Sequence, residues 1–155
     1  MKQNRRAFIV GGLIIAILAI LFAWPRGNDS DKGFLAQLKS AGIECLSSHS
    51  NVLQHFHPQL SITVDGASEL IPANVGIVGN CMSEIHTHDA TGIVHVETLS
   101  AHKTVYLKDF FIVWGKTIER EGYSVAMMVE GQPSGELGNL LLKDKQQILL
   151  EYKKI

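Results

Sequence analysis

The chain has 155 residues, 46% of them hydrophobic and 19% charged, and a net charge of −1. That is too apolar for a disordered protein and suits one globular domain. Composition also excludes repeat architectures, collagen-like chains and disulfide-dense mini-proteins.

Charge and hydropathy are both segregated. Residues 1–26 carry Lys2, Arg5, Arg6 and Arg26 and no acid, which leaves ten basic against fifteen acidic residues in the remainder, a net of −5. A mildly acidic domain with no basic cluster argues against nucleic acid as a partner. No GxxxxGK[ST] or GxGxxG phosphate cradle is present.

The first expected element is the 18-residue uncharged run Ala7–Trp24 (AFIVGGLIIAILAILFAW). Its length is close to the minimum for a membrane-spanning helix, and the basic residues before it keep that end in the cytoplasm. The sequence therefore predicts a cytoplasmic flank at 1–6, a transmembrane signal anchor at 7–24, a linker at 25–32 and an extracytoplasmic domain at 33–155. A cleaved signal peptide is the alternative, but Leu21-Phe22-Ala23 is a poor small-x-small site. Either way the domain lies outside the cytoplasm, in the first case as part of a single-pass protein of the cell membrane.

Outside the reducing cytoplasm, Cys45 and Cys81 read first as a disulfide. A role as metal thiolates and unpaired burial are the alternatives. Phe34, Leu35 and Leu38 then recur at helical spacing, with Ser30 or Asp31 as cap and Gly42 as stop, predicting a helix of about ten residues. From His55 the period becomes two. Phe56, Leu60, Ile62 and Val64 point one way, while His55, His57, Gln59, Ser61 and Thr63 point the other. Pro58 makes the first part an edge or entry, and Asp65-Gly66 ends the strand in a turn. A return strand near 69–72 and a connection near 75–78 follow.

Residues 83–98 (SEIHTHDATGIVHVET) read as a hairpin about Asp89–Gly92. With a four-residue turn, His88 faces Ile93, His86 faces His95 and Glu84 faces Glu97. Glu84, His86, His88, His95 and Glu97 then share one face, and Ile85, Thr87, Val94 and Val96 form the opposite, core-facing row. A helix from Tyr106 to Trp114 is predicted from Leu107, Phe110, Phe111 and Trp114, with Gly115 as its stop. Strands at 123–130 and 147–152 close the chain. The expected fold is α+β, a single small domain with a mixed or antiparallel sheet covered by a helix.

Five of the seven histidines fall on these matched strand faces. Same-face residues two apart on a strand are separated by about 7 Å, within reach of one ion. The candidate metal ligands are His55, His57, His86, His88, His95 and Glu97, the last as second-shell orienter or extra ligand, for copper or zinc. His49 and His102 fall off the pattern and read as surface residues. Met82, Met127 and Met128 suit copper(I), although core packing is the simpler role for Met127 or Met128.

The segments HFHPQLSITVDG, IPANVGI, C-x4-HTHDATGIVHVE and LKDFFIVWGK together resemble an uncharacterised family of small, extracytoplasmic, membrane-anchored proteins of bacteria and archaea. The resemblance covers roughly residues 43–153. It implies that Cys45, His55, His57, Cys81, His86, His88, Asp89, His95 and Glu97 are signature positions, and it supplies no reaction. Tyr106 departs from it, standing where a Thr cap is expected.

Three functions compete. The first is an anchored metal-binding carrier or sensor, copper before zinc by the Irving–Williams order, with a metalloprotein client. The second is a zinc-dependent hydrolase or lyase, in which three histidines, a water and a carboxylate base do the chemistry. The third is a metal-free accessory subunit of a larger membrane complex.

Overall fold

In a computed structural model of the chain, the structure describes residues 29–155. The anchor expected at 7–24 lies outside these residues. Among the described residues, no helix is long and apolar enough to cross a membrane. The first helix, α1 (Asp29–Ser40), starts inside the stretch read as linker. It buries Leu38 in the core and leaves Leu35 largely exposed, so the apolar stripe is narrower than the spacing implied. Gly42, at φ +68°, ends it as expected.

Eight short strands follow: β1 (Cys45–Leu46), β2 (Gln54–Phe56), β3 (Gln59–Val64), β4 (Ala67–Glu69), β5 (Ile77–Val78), β6 (Cys81–Ser83), β7 (Ile85–His86) and β8 (His95–Thr98). Helix α2 (Leu107–Trp114), strands β9 (Tyr123–Val129) and β10 (Gln132–Ser134), a 3₁₀ turn at Leu137–Asn139 and β11 (Gln147–Lys154) complete the domain. The class is α+β, but the strands form three sheets rather than one, in the orders β1-β6-β5, β10-β9-β11-β3-β4 and β2-β8-β7.

The five-stranded sheet is mixed, since β11 runs parallel to β3 and antiparallel to β9. Ile148, Leu150 and Tyr152 alternate inward along β11 and lie beside Leu60, Ile62 and Val64 of β3. Each such side chain removed from water contributes about 1.5–3 kcal/mol. The Tyr152 hydroxyl donates to the Ile118 carbonyl at 2.6 Å, which satisfies the polar end of an otherwise buried ring. Arg120 lies over that ring and bonds Glu69 with both guanidinium amines, holding the Glu69 carboxyl below its usual range.

The run read as one strand from His55 is split. Pro58 has no N–H for a ladder, so β2 ends before it and joins a different sheet from β3. The alternation survives the break, with Leu60 and Ile62 buried and Ser61 exposed. Asp65 and Gly66, at φ +50° and +84°, make the tight turn into β4.

Helix α2 forms where the spacing placed it. Leu107, Phe110, Phe111 and Val113 are buried, and Gly115 at φ +71° closes its end. Tyr106 is the extended residue before it, and its N–H donates to the Asp109 carboxylate at 2.8 Å. The helix lies against β7 and the 3₁₀ turn, so the core it fills backs the strand that carries His86. Met127 is in that core, as packing suggests.

Candidate metal centre

Cys45 and Cys81 form a disulfide, with Cα atoms 5.1 Å apart, and are therefore not metal thiolates. The bond ties β1 to β6 beside the ladder pair Cys45–Ser83. From that fixed point the chain runs through Leu46 into the loop that holds His49.

The hairpin register is the one the four-residue turn implies. His86 pairs with His95 and Ile85 with Val96. Ile85, Thr87, Val94 and Val96 are all buried. Beyond His86 the two arms separate, so His88 and Ile93 do not pair. One arm is taken by the 74–75 segment, where Thr87 N–H donates to the Val75 carbonyl and Asn74 N–H to the Thr87 carbonyl. The other is taken by the start of β3, where Val94 N–H donates to Pro58 and Leu60 N–H to Gly92. Asp89 is a turn residue, accepting from the Thr91 N–H and hydroxyl.

These bonds carry His57 to His95. Strand β2 pairs with β8 so that His55 lies opposite Glu97 and Phe56 opposite Val96, and antiparallel partners share a face. The ring centroids of His55 and His57 are 4.5 Å apart, those of His57 and His95 4.6 Å, and those of His88 and His95 4.5 Å. His86 stacks on His95 at 5.3 Å. All six expected ligands thus meet in one cluster.

Two expectations need correcting. Glu84 does not project into the cluster. It sits at the bend between β6 and β7, and its buried carboxylate is bonded by Lys103 and the Glu44 N–H. His49, read as a surface residue, belongs to the site. It is half exposed, yet its Nδ1 lies 2.8 Å from Glu97 Oε2 and its ring 5.4 Å from His88. Its loop (LSSHSN) has no periodicity for a pattern to catch. His102 is not among the residues grouped there.

Three groups have ligand atoms lying within 4.8 Å of one another: His49, His86 and His88; His55, His57 and His95; and His86, His95 and Glu97. Glu97 is fully buried; His49 Nδ1 is hydrogen-bonded to it at 2.8 Å and His55 Nε2 lies 3.1 Å away, from rings that are 54% and 45% exposed. A carboxylate accepts, so His49 gives it the Nδ1–H.

His86 is more constrained. Its Nδ1 lies 2.9 Å from the Ser83 carbonyl, which only accepts, so Nδ1 carries the proton. Burial lowers its pKa to about 4, so near neutral pH the ring is uncharged and Nε2 holds a bare lone pair. That nitrogen faces His88 Nε2 at 3.2 Å. Burial, with the adjacent His88 and His57, likewise lowers His95 to about 4. His95 Nδ1 is buried without a hydrogen-bond partner.

Gly76 sets this geometry from behind. At φ +81°, a Cβ there would lie 2.5 Å from the Ile85 carbonyl and 2.8 Å from Val113 Cγ1. Gly76→Ala is expected to cost about 2–3 kcal/mol, through strain at positive φ and displacement of β7. Thermal melts check this, and an unchanged midpoint would mean that the 74–78 segment moves aside freely.

Comparison of the chain with known protein families, with curated proteins and with solved structures returns no match.

Proposed function

We propose that this protein binds copper or zinc through its clustered imidazoles, as a non-catalytic carrier or sensor held at the outer face of the membrane by residues 7–24. The observation that carries the reading is His86. A buried, neutral imidazole whose Nδ1–H is fixed on a backbone carbonyl is the usual arrangement of a histidine ligand. Its separation of 3.2 Å from His88 Nε2 also suits two donors on one ion, since nitrogens about 2.0–2.1 Å from a tetrahedral centre lie about 3.3 Å apart. With the cysteines in a disulfide, the donors are nitrogen and carboxylate oxygen, a set that suits Cu(II) and Zn(II), and the affinity order favours copper.

The test is metal content. Full-length protein loaded with Cu(II) or Zn(II) and then dialysed should retain metal in fixed ratio to chain. A variant carrying both His86→Ala and His95→Ala breaks all three groups and should lose it, while His102→Ala should not. Metal kept by a folded double variant would move the site elsewhere. No metal on the native chain would leave the metal-free accessory subunit as the better reading. The solvent exposure of His49 and His55 favours one other possibility, a zinc hydrolase or lyase with water as a ligand. Turnover of an ester or anhydride by the zinc-loaded protein would select it.

A further inference from the structure

The cluster holds more donors than one ion can use. Six imidazoles and a carboxylate converge, whereas a four-coordinate Zn(II) or Cu(II) ion takes four ligands. The donors also divide by chain position. His49, His86 and His88 come from the loop after β1 and from β7 and its extension. His55, His57 and His95 come from β2, the break at Pro58 and β8.

Each set is a group of three on its own, and the two meet at two points. His86 of the first stacks on His95 of the second, with the rings 17° from parallel. Glu97 lies 2.8 Å from His49 Nδ1 of the first and 3.1 Å from His55 Nε2 of the second. Among the described residues these imidazoles pair with Glu97, and no Lys or Arg lies at ion-pair distance from it. An acidic side chain buried in this way needs positive charge nearby.

We infer that the cluster is a dinuclear centre, with one ion in each tri-histidine group and Glu97 as the carboxylate common to both. This rests on the metal-binding reading above and extends it from a site to a pair of sites. Glu97 orients His49 through a hydrogen bond, lies 3.1 Å from His55 Nε2, and offsets the repulsion between two adjacent dications. His95, whose ring stacks on His86 where the two groups meet, has a buried Nδ1 without a hydrogen-bond partner.

The experiment is a titration of the full-length protein with Cu(II) and with Zn(II), read by native mass spectrometry against a competing chelator. Two ions per chain are expected. His88→Ala and His57→Ala lie in opposite groups and are each at least partly exposed, so each should lower the count from two to one without unfolding the domain. Doubly Cu(II)-loaded protein should show a paramagnetic resonance spectrum attenuated or broadened by coupling, absent from either variant. Glu97→Gln should weaken both ions by about 10–100-fold rather than one, with circular dichroism confirming the fold.

One ion on the native chain, still present in both single variants, would mean a central site of His86, His95 and Glu97 and would overturn the dinuclear inference alone. Two ions that persist in both variants would put the second outside the cluster and overturn it equally. No ion on the native chain would overturn the metal-binding reading and this inference together.

Discussion

Acidifying the metal-free protein from about pH 7 to about pH 4 should remove on the order of 3–4 kcal/mol of its stability. The fold keeps His86 and His95 neutral down to about 4, whereas the ordinary value is 6.5. Between those values the unfolded chain takes up protons that the folded chain refuses. Stability is therefore complete above the unfolded pKa and drains away as pH falls toward the folded one. His86, with its side chain fully buried, supplies about 2–3 kcal/mol of the loss, and the less buried His95 about half as much. Glu69, held low by Arg120, adds a further loss at still lower pH. Denaturant melts of chelator-treated protein across this range would show the slope. A flat profile through pH 5–6 would mean that the imidazoles accept protons inside the fold. Bound metal should steepen the slope, because coordinated nitrogens in the folded chain cannot take up the protons that the unfolded chain accepts.

Opening the Cys45–Cys81 bond should have a comparable effect, on the order of 3–4 kcal/mol for a loop of this length. The bond closes a stretch of 36 residues that includes β2, β3, β4 and β5. What remains of its small sheet is two ladder pairs between β1 and β6 and two between β5 and β6, too little to hold β1 alone. Denaturant melts with and without reductant, and of Cys45→Ser with Cys81→Ser, measure the difference. A change below about 1 kcal/mol would mean that the cross-link closes a loop already held by the core. Because the bond fixes the chain a few residues before His49, its loss should weaken the ion in the His49, His86 and His88 group more than the other. The same metal titration under reducing conditions would show that inequality.

Much of the cluster is legible in the sequence, because strand periodicity is strict. The turn at Asp89–Gly92 sets His86 against His95, and period two puts His55 and His57 on one side of Phe56. What escaped the pattern has physical reasons. His49 sits in a loop without periodicity, and its contacts with Glu97, His86 and His88 reveal its place. Glu84 has the right parity but stands at a bend, where parity no longer fixes direction. The division into three sheets follows from the lack of an N–H at Pro58 and from strands of two or three residues, which leave almost no periodic trace. The pairing of β3 with β11 is non-local, and nothing near either strand announces it.

That last pairing bears on how the molecule is assembled in time. Strand β11 lies between β3 and β9, so the middle of the five-stranded sheet is contributed by residues 147–154. Until they arrive, β3 and the β9–β10 hairpin have no common neighbour, and Leu60, Ile62 and Met127 face water. Closing a pairing between residues 88 positions apart is entropically slow, in the millisecond-to-second range typical of non-local sheets. A chain made at about 5–20 residues per second therefore shows an open, apolar strand edge for several seconds before its last strand is complete. The step that seals that edge also completes the sheet that positions Pro58 and, through it, His57.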